Sequence, residues 1–301
     1  MLVPAIVRSR IVSPASRLLL ALALVAGAQA AFAGAAFAVE PENDGSTEAV
    51  SPPVSQPVKG AGEGSGAKPG GGGGGGNPTR GFDISYPQCN TAYPANPAFG
   101  IVGVNGGRVF SANPCLASQI TWGGGAAAEL YVNTGNPGPA LSSFWPIGQT
   151  TPRFCDPNNT DTADCAFDYG FNAAKHSYET AAAAYQALGL IASPSATTWW
   201  LDVETSNSWR TTTTLNVAAL QGELAYLRDV AGVTRIGFYS TQLQWNEITG
   251  GTLTFAAYPS WVAGGVTLKG AQDRCKRPAF TGGSVTLAQY FFSGFDANIR
   301  C

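Results

Sequence analysis

From Gly81 onward, short apolar runs alternate with longer amphipathic stretches, and the two periods predict two kinds of element. GFDIS (81–85), FGIVGVN (99–105), AELYVN (128–133), TTWWLDVE (197–204), RIGFYS (235–240), SWVAGG (260–265) and SVTLAQYF (284–291) read as strands. Phe171, Ala174, Tyr178, Ala181, Tyr185 and Leu188 recur every three to four residues, which predicts a helix over 168–190 stopped by Gly189. Leu220, Leu224, Leu227 and Val230 predict another, stopped at Gly232. IVGV and IGFY lack polar alternation, as strands covered on both faces require. Strands alternating with helices predict an α/β fold, and seven or eight strands in the 221 residues from Gly81 to Cys301 favour a TIM-like (β/α) barrel over an open sheet. Polar residues collect where the strands end: Asp83, Asn105, Asn133, Asp202, Glu204, Ser240, Gln289 and Asp296. That is the end of a barrel where active sites form, although strand ends are often polar simply because loops begin there.

The remainder of the chain changes the picture of organisation. Arg8, Arg10 and Arg17 precede an uncharged Leu/Ala run, and A-x-A sites end at Ala33 and Ala38. Residues 1–38 therefore read as a signal peptide, with an uncleaved membrane anchor as the alternative. Residues 39–80 are rich in Pro, Gly and Ser and contain seven consecutive glycines, Gly70 to Gly76, so they read as a disordered linker. The barrel domain is expected over 81–301. The expected location is secreted or cell-wall associated, with no membrane contact once the signal is removed.

Removing residues 1–38 leaves 14 basic and 19 acidic residues, a balance that argues against nucleic acid as a partner. All six cysteines lie in the domain, and an even number in an exported chain reads as disulfides. Fifteen pairings are possible. Cys89–Cys115 follows adjacent strands, Cys155–Cys165 closes a short loop and Cys275–Cys301 lies near the chain end, so these three are the expected pairs. The single histidine, His176, falls mid-helix and reads as a solvated surface residue. With one histidine and no C-x-x-C, neither a metal site nor a Ser-His-Asp hydrolase is expected, and no cofactor.

Asp202 and Glu204, two apart on a strand, point to the same side, with Cβ atoms roughly 6–7 Å apart. Paired carboxylates repel, which raises one of them and lets it hold a proton near neutrality. An acid kept protonated beside a carboxylate kept ionised is the chemistry of glycoside cleavage. The plainer reading is an acidic strand end that caps a helix or holds a surface arginine.

Five segments in order resemble family 25 glycoside hydrolases, the lysozyme-like muramidases. GFDISYPQC resembles the family's opening strand, WLDVE its central L-D-x-E, RIGFYST and WVAGG the strands that follow, and AQYFFSGFDANIRC its closing Q-Y…D-x-N. The resemblance implies an irregular barrel of about five βα units followed by three β-strands, with a glycan groove at the carboxyl ends of the strands. It implies catalytic roles for Asp83, Asp202, Glu204 and Asp296, with Glu204 as proton donor. It implies cleavage of the β-1,4 bond of peptidoglycan. The second and third strands depart from the family: VGVNGGRVF and LYVNTGN replace its usual motifs. The insertion from Pro139 to Asp168 is also unlike it and reads as a lid or rim.

The first expectation is thus a monomeric secreted glycosidase acting on cell-wall glycan. Trp200, Tyr131, Tyr239, Trp261 and Tyr290 would supply sugar-stacking faces, and Asn105, Asn133 and Gln289 polar contacts. The alternative is a non-catalytic glycan-binding protein on the same scaffold, favoured by the altered strands and disfavoured by the retained acids. A third, a wall-tethered domain that binds a protein partner, has no specific support in the sequence.

Overall fold

The computed structural model describes residues 80–301; the expected signal peptide and all but the last residue of the expected linker lie outside the described residues. Eight strands close into one barrel in chain order. They are β1 (Gly81–Ile84), β2 (Gly100–Gly103), β3 (Glu129–Asn133), β4 (Thr198–Asp202), β5 (Arg235–Ser240), β6 (Ser260–Gly265), β7 (Val285–Phe292) and β8 (Phe295–Arg300). Pairing is parallel from β1 through β7, and β8 runs antiparallel to both β7 and β1. Helices α1 (Leu116–Trp122), α2 (Ala163–Ala187), α3 (Thr213–Ala225), α4 (Gln242–Thr249) and α5 (Leu268–Arg274) follow β2 to β6. The five βα units and three further strands are all present. One of the helix-free strands is β1, followed only by a 3-10 turn at Tyr86–Gln88, so the units begin at β2.

Strand alternation sorts the side chains into two layers. On β4, Trp199, Leu201 and Val203 face the helices in the main core with Leu220, Phe238 and Trp245. Trp200 faces inward and packs with Ile101, Trp261 and Leu287. Room for its indole comes from Gly237 on the neighbouring β5, where a Cβ would lie 2.3 Å from the Trp200 ring. Each such buried side chain contributes about 1.5–3 kcal/mol of transfer free energy.

Helix α2 begins earlier than its apolar period shows. Thr162 caps it by accepting from Cys165 N at 3.2 Å, and Asp164 suits the positive end of the helix dipole. At its far end Gly189 is left-handed, φ 66°, as a stop position requires. His176 is not solvated as expected. It is half-buried on α2 with its ring 5.7 Å from that of Phe110, and burial pushes its pKa down, so it is neutral.

All three expected disulfides form: Cys89–Cys115, Cys155–Cys165 and Cys275–Cys301. They fit an oxidising compartment. Among the described residues, no helix is long and apolar enough to cross a membrane.

Glu223 on α3 is a buried acid whose Oε1 has no hydrogen-bond partner. Burial alone raises its pKa well above the ordinary glutamate value. An acid raised in the fold contributes full stability below its unfolded pKa and loses it as pH rises through the folded one. Glu223→Met is therefore expected to stabilise the domain by on the order of 1–3 kcal/mol, the cost of an unsatisfied buried polar group. The gain in urea midpoint is expected to be larger at pH 9 than at pH 5, and an equal gain at both would show that Glu223 does not titrate in the fold.

Candidate active site

Three strand ends bring four carboxylates to one mouth. Asp83 lies one residue before the end of β1, and Asp296, second in the antiparallel β8, is its direct register partner. Asp202 ends β4, directly beside Asn133 on β3 and Tyr239 on β5. Glu204 falls two residues beyond β4, not on the strand itself. Pairing nevertheless continues past the strand end, because Val203 N donates to Tyr239 O at 2.9 Å and Ser240 Oγ donates to Val203 O at 2.7 Å. That bond pattern keeps Glu204 on the side of Asp202, and the two carboxyls interact electrostatically.

Asp83 is held by two amides whose orientation is fixed from behind. Asn298 Nδ2 donates to Asp83 Oδ1 at 2.6 Å, and Gln289 Nε2 donates to both its oxygens at 3.1 and 3.2 Å. Trp261 Nε1 donates to Asn298 Oδ1 at 2.8 Å, and Tyr239 OH donates to Gln289 Oε1 at 2.9 Å. Each amide oxygen is thus occupied, leaving the NH₂ groups for the carboxylate. Burial raises Asp83 well above the ordinary aspartate value, and the Asp296 charge adds to it; the two amides oppose the shift.

The Asp202–Glu204 contact carries the chemistry. Asn133 Nδ2 donates to Asp202 Oδ2 at 2.8 Å, while Asp202 Oδ1 is buried without a hydrogen-bond partner. Two buried carboxyls so placed disfavour double ionisation. Burial raises Asp202 well above the usual range, and Glu204 raises it further. Burial also raises Glu204, opposed by the bond from Asp202 and one from Gln244, with Asp296 adding to the rise. Asp296 is the most exposed of the four, and partial desolvation raises it too.

The other expected contacts divide. Tyr131, Tyr239, Asn133 and Gln289 line the mouth. Burial first, then the carboxylate charges, push both tyrosines up, so they remain O–H donors. Asn105 is buried and holds loops together: its Oδ1 accepts from Asn133 N at 2.8 Å and its Nδ2 donates to Ser177 Oγ at 3.2 Å. Trp200 is inward as expected but too deep to meet a sugar. It is 2% exposed, and its Nε1 donates to Glu129 Oε2 at 2.7 Å, at the opposite end of the barrel. Trp261 is likewise core, 5.8 Å from Trp200 between ring centroids. Tyr290 faces outward, packing with Phe82 and Ala297 and accepting from Arg80 Nε at 2.6 Å. Asn298, Gln244 and Ser85, the last bonded to Tyr131, belong to the site and were not foreseen. Among the described residues, no group of three or more His, Cys, Asp and Glu is set to hold a metal ion.

Residues 168–272, which contain Asp202 and Glu204, match the family described as lysozyme-like protein 1. Over that stretch the barrel is similar to a lysozyme-like family. Asp83 and Asp296 of the barrel lie outside the matched stretch. Solved structures similar to it include a muramidase from Trichobolus zukalii, 18% identical, covering 74% of this chain and 93% of that one, TM-score 0.45. A family GH25 lysozyme from Aspergillus fumigatus is 17% identical over 75% of this chain and 94% of that one, TM-score 0.46. A bacterial lysozyme from Streptomyces coelicolor is 19% identical over 75% and 93%, TM-score 0.44. No curated protein matches the chain.

Proposed function

We propose that this domain is a glycoside hydrolase that cleaves β-1,4 bonds of peptidoglycan or a related cell-wall glycan, exported and tethered by residues 39–80. The observation that carries the reading is the convergence of Asp202 and Glu204, each raised by burial, at a mouth that also holds Asp83 and Asp296. The match of residues 168–272 to a lysozyme-like family supports it. Glu204, the more accessible of the pair, transfers the proton to the glycosidic oxygen as the bond from that oxygen to the sugar's anomeric carbon breaks. Asp83 and Asp296 stabilise the positive charge that develops on the sugar. Water then adds to the anomeric carbon, and its proton returns to the pair.

The test is release of new reducing ends from purified peptidoglycan across a pH series. Both members of the pair are raised, so the acid form persists to higher pH than for a free carboxyl and is lost on the alkaline side. Activity is expected to fall as pH rises through that ionisation. A rate that climbs steadily into alkali would rule out the acid role. Wall binding without reducing ends would leave the glycan-binding reading in its place.

A further inference from the structure

The segment between β3 and α2, residues 134–162, leaves the barrel at the end that holds the four carboxylates, as every βα connection does. It is firmly held. The Cys155–Cys165 disulfide ties it to α2, Arg210 donates to both oxygens of Asp161 at 2.8 and 2.6 Å, and Trp145 Nε1 donates to Thr160 O at 2.8 Å. Yet it keeps large apolar side chains in solvent: Leu141 is 73% exposed and Phe144 46%.

The Phe144 ring lies flat on Phe110, centroids 4.3 Å apart and planes 6° apart. Phe110 comes from the β2–α1 loop, where its backbone is left-handed, φ 58°, a costly conformation for a bulky residue. In the same loop, Gly107 lies so close to Tyr86 that a Cβ on it would sit 2.5 Å from the Tyr86 ring. Tyr86, Phe110 and Phe144 therefore form an arc along the loops that follow β1, β2 and β3. The loops that carry the arc are bonded to those that carry the mouth. Asn136 N donates to Ser208 O at 2.8 Å in the loop that follows Glu204, and Asn133 N donates to Asn105 Oδ1.

The segment's charges are Arg153, Asp156 and Asp161, the last paired with Arg210, and Arg108 is exposed in the loop of Phe110. Aromatic faces flanked by hydroxyls and amides, with charges of both signs, match the apolar ring faces and hydroxyls of a saccharide. We propose that the Tyr86–Phe110–Phe144 arc binds sugars of the glycan strand beyond the bond being cleaved, which makes the domain selective for long strands over short fragments. The proposal rests on the hydrolase reading for its substrate but not for its binding.

Wild type, Tyr86→Ala, Phe144→Ala and Phe144→Trp are compared on intact glycan strands and on the shortest oligomer cleaved, with thermal melts as the folding control. Sedimentation with purified peptidoglycan and with lipid vesicles is measured alongside. Each alanine is expected to raise KM on strands by about 3–10-fold, the value of one aromatic contact, with kcat and the short-oligomer KM within about twofold of wild type. Phe144→Trp is expected to restore the strand KM. Equal losses on short and long substrates, no loss on strands, or Phe144-dependent binding to vesicles instead of glycan would overturn the proposal. If wild type releases no reducing ends but Phe144→Ala loses wall binding, the arc stands and the hydrolase reading falls.

Discussion

Glu204→Gln is expected to lower kcat on peptidoglycan by about 10²–10⁴-fold, the span of a general-acid contribution. A glutamine fills the same volume and can still hydrogen-bond Asp202, but it cannot give up a proton at neutral pH. The same change removes a carboxyl whose ionised form is penalised in the fold. Stability against alkaline unfolding is thus expected to rise as activity disappears, a trade common where a site holds raised acids. Asp202→Asn makes a sharper companion. Its amide would donate to Glu204 and favour the ionised carboxylate, so the alkaline limb of the pH–rate profile is expected to move to lower pH. Reducing-end kinetics and a urea titration at pH 9 check all three statements. A Glu204→Gln enzyme within about tenfold of wild type would remove Glu204 from the role of acid.

The second large effect concerns the seam between α2 and α3. A Cβ on Gly222 would lie 1.9 Å from Phe167 O, and one on Gly170 would lie 1.9 Å from Ala219 O. The two contacts are reciprocal, and both neighbours are backbone carbonyls inside helices, so neither can rotate away. Helix propensity favours alanine over glycine by about 1 kcal/mol. Overpacking a close helix contact costs about 3 kcal/mol. The clash wins, and Gly222→Ala is expected to lose about 2 kcal/mol net, or roughly 4–8 °C in Tm for a domain of this size. A melting temperature at or above wild type would mean that the helices can part without cost.

The sequence was most legible where a single period or charge decides the outcome. The alternation of β and α patterns foretold the barrel, and short sequence separation foretold Cys155–Cys165. The four acids could be seen because charges on strand ends are conspicuous. What was not legible is depth. Period two correctly set Trp200 and Asp202 on the inner face, but nothing in the sequence says that Trp200 lies a layer below the mouth, filling space left by Gly237. Tyr290 was misplaced because β7 alternates, and Gln289 had already taken the inner position. Asn298 and Gln244 escaped because neutral amides carry no signal of charge; only the D-x-N pattern around Asp296 gave a hint of Asn298. The start of α2 was hidden because Thr162 caps a turn of small residues that shows no apolar stripe.

Barrel closure falls to the two strands most distant in the chain, β1 and β8. Asp83 depends on that seam twice, for Asn298 behind it and Asp296 beside it. Contacts between such distant residues form late, because a long loop must close before they are rewarded. A chain lacking its last strand would expose two unpaired sheet edges, lose Asp296 and leave Asp83 without Asn298. The four-carboxylate mouth is therefore complete only when the barrel has closed, and its assembly is expected to come late in folding.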